Sequence, residues 1–233
     1  MKVAIHQPNY IPWLGYFYKM YLSDIFVHLD DAQYSNEGGH NFNYIKTSQG
    51  VFRLKFPVEQ HMGDLINQVR PKNELKWREK HLRTIAINYA KAKFFKKSFP
   101  ELKEVYMVDY PNVAELNIAI NVFLAEKFGI KVQYLRSSQF TLQTNREKKV
   151  LDLCVQVGGT RYISGNGARV YQEENHFSDI GIELSYIDYQ PIEYPQIWGK
   201  FLPCMSTLDY IFNCGYDWNY VVKEVARLNE RNR

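Results

Sequence analysis

Cysteine is scarce in this chain of 233 residues: Cys154, Cys204 and Cys214 are its 3. An odd count without metal-ligand spacing supplies neither a disulfide framework nor a zinc site, and it points to a reducing compartment. Long apolar runs are absent too, with nothing approaching the ~20 residues of a membrane span. The opening Met1-Lys-Val-Ala-Ile-His6 meets polar residues too early for a signal h-region. The expectation is a cytoplasmic protein without membrane insertion. No Walker A loop, dinucleotide fingerprint, Gly-x-Ser-x-Gly elbow, His-Glu-x-x-His or EF-hand pattern is present, which disfavours serine and zinc hydrolases. There is no internal repeat and no low-complexity segment. Charge of one sign is not dominant either, since 29 basic residues face 25 acidic ones. The densest basic run, Lys91-Ala-Lys-Phe-Phe-Lys-Lys97, reads as a solvated helix end rather than a nucleic-acid surface.

What is present is an ordinary globular composition, 45% hydrophobic and 23% charged, enough for one domain over 1–233. Aromatics reach 15%, including 18 Tyr and 4 Trp, more than core filling tends to use, so some should line a pocket or interface. Residues 2–5 read as a short buried strand, 14–21 as a helix and 25–29 as a second strand, a βαβ opening. Residues 34–46 lack periodicity and read as a loop, and 51–58 return to alternation. Helical spacing over 74–99 and 111–128, the latter with Pro111 at a first helical position, forms a helical section at about 70–130. Strands at 131–135, 161–164 and 183–187 alternate with a helix at 145–157, and a further helix covers 206–213. The fold class is α/β, a Rossmann-like, mostly parallel sheet with a helical section between its halves. Ligands gather at the carboxyl ends of such strands.

The strongest candidate site is His6-Gln-Pro-Asn-Tyr-Ile-Pro-Trp13, directly after the first strand. Its two prolines fix φ, so imidazole, carboxamide, phenol and indole can be held at little ordering cost. Tyr10 and Trp13 are candidates to stack on a base or sugar, His6 to be the general acid/base, and Gln7 and Asn43 to orient polar groups. A proline-rich turn whose rings pack on the core is the competing reading. Asp30-Asp31 at the second strand's end could hold a cation, orient a ribose or act as a base. Adjacent strand residues face opposite ways, so one at most serves a pocket; Asp31 is the candidate, and a solvated turn is the alternative. Lys46 could meet a phosphate or carboxylate, and Ser164-Gly165 opens a turn able to present amides to an anion, or merely a tight turn.

Several ordered stretches together resemble the WbqC-like family. They are Ile5-His-Gln-Pro-Asn-Tyr-Ile-Pro-Trp-Leu-Gly-Tyr16, Asp30-Asp-Ala-Gln-Tyr34, Asn41-Phe-Asn-Tyr-Ile-Lys-Thr47, Tyr162-Ile-Ser-Gly165 with Tyr171, Tyr194-Pro-Gln196, and Phe201-Leu-Pro-Cys-Met-Ser-Thr-Leu-Asp209. Phe42 and Tyr44 stand where many members carry Arg. The resemblance implies a place in bacterial surface-polysaccharide (O-antigen or capsule) biosynthesis. It also implies that Tyr194, Gln196, Ser206 and Asp209 form a second wall of the site. A more distant likeness is to Rossmann-like nucleotidylyltransferases, but Tyr10-Ile-Pro-Trp13 replaces their His-x-Gly-His signature, so their adenylyl chemistry does not carry over.

The reading leans toward an enzyme, a transferase acting on a nucleotide- or lipid-linked sugar, with acyl or aminoacyl transfer to an amino sugar as one form. The alternative is a non-catalytic sugar-nucleotide-binding or assembly protein for glycan enzymes. The partner is thus a small-molecule sugar or nucleotide-sugar, with no nucleic acid and no resident metal. No cofactor is named by these residues, and a homodimer is the default. With charges this balanced, a gel-shift titration with generic DNA and RNA is expected to show no salt-dependent complex; a complex that weakens steeply with salt would reverse that reading.

Overall fold

A computed structural model describes residues 1–144, 146–170 and 172–231. In chain order the main elements are β1 (Lys2–His6), α1 (Leu14–Tyr21) and β2 (Ile25–His28), then β3 (Phe42–Thr47), β4 (Gly50–Lys55), β5 (Val58–Glu59) and β6 (Arg70–Pro71). Helices α2 (Trp77–Tyr89), α3 (Phe95–Tyr106) and α4 (Val113–Lys127) precede β7 (Gln133–Arg136), α5 (Arg146–Gln156), β8 (Arg161–Ser164), α6 (Glu174–Ser178) and β9 (Glu183–Tyr186). Two helices, α7 (Thr207–Cys214) and α8 (Trp218–Arg231), follow.

Five strands form one sheet in the order β7-β2-β1-β8-β9, and each neighbouring pair is parallel. From β1 the sheet grows through β2 and β7 on one side and through β8 and β9 on the other. The direction of winding therefore reverses between β1 and β8, which opens a crevice at their carboxyl ends. This is the Rossmann-like α/β arrangement. Side-chain alternation sorts the core into two layers. Val3, Ile5, Ile25 and Val27 pack with Leu153 and Cys154 of α5 and Phe177 of α6. Ala4 and Phe26 point the other way, into a larger aromatic core shared with α1, α2, α3, α4, α7 and α8. Among the described residues no helix is long and apolar enough to cross a membrane.

Several local expectations change. Residues 34–46 are not all loop: β3 begins at Phe42 and pairs antiparallel with β4, its inward and outward positions too few to show a period. The pattern over 74–99 is two helices, because the chain turns at residues 90–94, where the Phe94 amide bonds the Phe212 carbonyl at 2.9 Å. The lysines of residues 91–97 are exposed at that turn while Phe95 stacks on Phe99. Pro111 is not the first helical residue of α4; Asn112 caps it, its side chain accepting the Glu115 amide. The expected helix start at Asn145, and Tyr171, lie outside the described residues.

The sheet also carries an acid liability. His28 ends β2 fully buried between Phe26 and Tyr134, and neither ring nitrogen has a hydrogen-bond partner among the described residues. Burial, reinforced by the charges of Arg136 and His6, lowers its pKa to about 3; burial takes His40 and His81 to about 4. The unfolded chain takes up protons near pH 6.5 and the folded chain does not, so stability is full above pH 6.5 and declines as pH falls toward 3. At pH 5 one such residue costs ~2 kcal/mol. Urea unfolding at pH 7.5 and 5.0 should show this decline, and His28→Leu should shrink it by about that amount. An unaltered pH dependence in the variant would absolve His28.

Candidate functional site

The loop after β1 cannot form a ladder, because Pro8 and Pro12 lack amide donors. Its carbonyls are buried all the same, and each needs a donor from elsewhere. The donors, most of them side chains, come from five elements or their flanks. Lys19 Nζ donates to Ile5 at 2.7 Å, the Leu29 amide to His6 at 2.8 Å, and the Tyr16 hydroxyl to Gln7 at 3.2 Å. Asn117 and Asn121 on α4 donate to Pro8 at 2.8 Å and Asn9 at 3.0 Å. Asn43 on β3 spans Tyr10 and Ile11 at 3.1 and 2.7 Å. Ser206 Oγ donates to Ile11 at 2.8 Å and Thr207 Oγ1 to Pro12 at 2.6 Å. Ile11 is held at φ 39°, a conformation non-glycine residues rarely take, which this clamp sustains.

A cavity of about 850 Å³ opens where β1 and β8 end, at the winding reversal. His6, Gln7, Lys19, Tyr162, Gly165, Gly167 and Gln172 line it, with Arg146, Glu147 and Val150 of α5. His6 Nδ1 lies 2.9 Å from the Gln7 carbonyl, which can only accept, so the proton sits on Nδ1 and Nε2 carries the lone pair. Burial and the nearby Lys19 charge lower the His6 pKa to about 3, which keeps the ring neutral. His40 Nε2 donates to Gln7 Oε1 at 2.9 Å and fixes that carboxamide. Ser164 does not line the cavity; its hydroxyl donates to Gln172 Oε1 at 2.7 Å and fixes a residue that does.

Lys19 went unremarked in the sequence. It is 3% exposed on the inner face of α1, and burial lowers its pKa to about 7. The one available signal was its spacing, three residues after Tyr16 and one before Met20, on the apolar stripe where a lysine does not belong unless it is used. Arg146 and Gln172 lie in segments without any motif and had no signal.

The other expected residues lie elsewhere. The Tyr10 ring is fully buried against Phe56, its hydroxyl bonded to Tyr106 and to His81 Nδ1. Trp13 packs edge-on to Tyr189 and over Gly15, where a Cβ would come within 2.5 Å of the indole. Asp30 accepts from Ser137 and Ser138, while Asp31 bonds Ser137 and pairs with Lys149 at 2.6 Å; neither carboxylate lines the cavity. Lys46, 1% exposed, donates to Gln196 Oε1 at 3.0 Å and to the Lys200 and Gly199 carbonyls. Asp209 accepts the Tyr89 hydroxyl at 2.7 Å; burial raises its pKa against the opposing Tyr89 and Tyr194 hydroxyls, Lys46 charge and Gln196 amide. Tyr194 packs edge-on to Phe201 and Tyr210. None of Tyr194, Gln196, Ser206 and Asp209 lines the cavity, and of the four Ser206 bonds the loop directly. Among the described residues no group of three or more His, Cys, Asp or Glu could hold a metal.

The order of the strands, the clamped loop and the cavity define an α/β protein with a ligand-sized crevice at its winding reversal. The chain belongs to the WbqC-like protein family, whose model matches residues 7–219. It is also 34% identical over 218 residues to the uncharacterized protein Rv1507c of Mycobacterium tuberculosis, covering 92% of this chain and 94% of that protein. No solved structure matches the chain. The distant likeness to nucleotidylyltransferases gains nothing from these comparisons.

Asn43 is the donor to the Tyr10 carbonyl and shares the Ile11 carbonyl with Ser206, so Asn43→Ala strands the Tyr10 carbonyl in the interior and leaves Ile11 on Ser206 alone. The expected cost is ~2 kcal/mol, a drop of roughly 4–8 °C in Tm by calorimetry. A Tm within 1 °C or so of wild type would show that the clamp does not depend on it.

Proposed function

We propose that the chain is a transferase of bacterial surface-polysaccharide biosynthesis, acting on a nucleotide- or lipid-linked sugar in the cavity at the ends of β1 and β8. The pathway comes from the family resemblance. The observation that carries the chemistry is His6 at the cavity wall, with its tautomer set by the Gln7 carbonyl and Nε2 left as an acceptor. In acyl or aminoacyl transfer, the sugar amine attacks the acyl carbonyl and forms the C–N bond. His6 Nε2 takes the amine proton and returns it to the carrier group as the bond from carrier to carbonyl breaks. A ring held at a pKa of about 3 is a weak base in the empty cavity. Negative charge on a bound substrate raises it toward the useful range. Gln7, Gly165 and Gln172 orient the substrate, and the residues behind the loop hold His6 in register.

The weak basicity of His6 also favours a second reading, a binding or assembly protein that holds the sugar nucleotide without turning it over. Mass spectrometry of reactions with a panel of sugar nucleotides and acyl or aminoacyl donors separates the two. Transfer should be seen with wild type and fall ~10²–10⁴-fold in His6→Ala, with ligand affinity nearly kept. Binding without product in wild type would favour the second reading, and full activity in His6→Ala would remove the general-base assignment.

A further inference from the structure

Two lysines in this molecule are buried to the same extent and are used differently. Lys46 is surrounded by acceptors, with Gln196 Oε1, the Lys200 carbonyl and the Gly199 carbonyl on its ammonium and Asp209 acting on it as a counter-charge. Lys19 has one acceptor, the Ile5 carbonyl at 2.7 Å, and lines the cavity. Two of its three donors are unclaimed among the described residues. No carboxylate answers it. Glu147, the acid among the lining residues, accepts the Glu173 amide at 2.9 Å on one oxygen and pairs with His176 at 3.0 Å through the other. Asp31 is taken by Lys149. An ammonium buried against one carbonyl and the Tyr162 ring, 5.8 Å from its centroid, has no counter-charge and is short of acceptors until a ligand completes it.

We propose that Lys19 is the anion seat of the cavity and takes a phosphate group, the one that links the sugar to its carrier, while exposed Arg146 meets the same ligand at the mouth. This rests on reading the cavity as the substrate site. A tetrahedral, multiply charged anion fits better than a carboxylate. Gly165 and Gly167 line the space with no protein atom within 4 Å of where a Cβ would stand, so bulky phosphate oxygens can approach that backbone. The volume of about 850 Å³ is the size of a sugar-nucleotide site and far exceeds one phosphate. The phosphate lies deep, because Lys19 is held to the Ile5 carbonyl one residue before His6, and its charge sits where it raises the basicity of His6.

The titratable groups that face Lys19 are His6 on β1, Cys154 on α5 and Tyr162 on β8. Burial raises the Cys154 thiol to about 12, so it is neutral. With Lys19 near pKa 7, an anion that charges it fully takes up about half a proton at pH 7. Isothermal titration calorimetry with inorganic sulfate, a tetrahedral dianion that does not itself titrate near pH 7, run in two buffers of different ionisation enthalpy, reads affinity and proton uptake together. Wild type should bind with that uptake. Lys19→Met, folded by circular dichroism, should lose the uptake and ~10–100-fold in affinity, the value of a charge-assisted bond. Arg146→Gln should lose affinity by a smaller factor and keep the uptake. Folded Lys19→Met that binds as wild type does, or wild type that shows no binding at tens of millimolar sulfate or binds without uptake, overturns the proposal. If Lys19→Met does not fold, the wild-type uptake and the Arg146→Gln affinity decide it by the same criteria. UDP-N-acetylglucosamine and a short-chain polyprenyl diphosphate, titrated alongside, show by the tighter binder whether a nucleotide or a lipid carries the phosphate. None of these measurements needs turnover, so failure of the transferase reading and failure of the anion seat are told apart.

Discussion

Eight consecutive carbonyls, from Ile5 at the end of β1 to Pro12, run past the last turn of the ladder, and only that of His6 is met by the neighbouring strand's continuation, the Leu29 amide. A buried carbonyl left unpaired costs about 1–3 kcal/mol. Bringing eight donor side chains and two backbone amides to them is therefore the constraint on which the surrounding architecture depends. It ties α1, β3, α4 and the start of α7 to one loop, and it explains why asparagines at residues 117 and 121 sit on the buried face of a helix. It also explains the tail of the chain. Ser206 and Thr207 act on Ile11 and Pro12, so the start of α7 closes on a loop nearly two hundred residues away.

The clamp separates support from chemistry. Behind the loop, Lys46, Gln196, Asp209, Tyr89 and Tyr194 form a buried polar network whose groups mainly serve one another. In front of it lies the cavity, where the polar groups are not saturated: His6 Nε2, two donors of Lys19 and the mouth residue Arg146. A network that is satisfied rigidifies, and a set of groups left short of partners awaits a ligand. The same burial lowers the pKa of both His6 and Lys19, so at pH 7 His6 is neutral and Lys19 about half charged, and an entering anion restores the lysine's full charge.

Much of the sheet was legible because its strands are short apolar runs punctuated by turn residues. The spans of α1 and β8 were read as found, and that of β2 to within one residue. The β3 and β4 hairpin was only half seen, since Asn41 to Thr47 mixes loop-like residues with inward ones whose partners lie in α2 and the loop. The break between α2 and α3 was invisible because phenylalanines continue the helical spacing through it. Of the site, His6, Gln7 and Gly165 could be named from position after a strand. Tyr10, Trp13, Lys46 and Asp209 were named too, and none of them lines the cavity.

By itself the sequence determined the strand and helix alternation, the stiffness of the loop through Pro8 and Pro12, and membership of a family through its ordered motifs. These are local properties, set by φ restriction and hydrophobic period. Only the tertiary structure decided which side of the loop each polar residue occupies, because that depends on packing between elements far apart in the chain. A lysine's role follows from the acceptors brought to it: three for Lys46, and for Lys19 a single carbonyl and an open cavity.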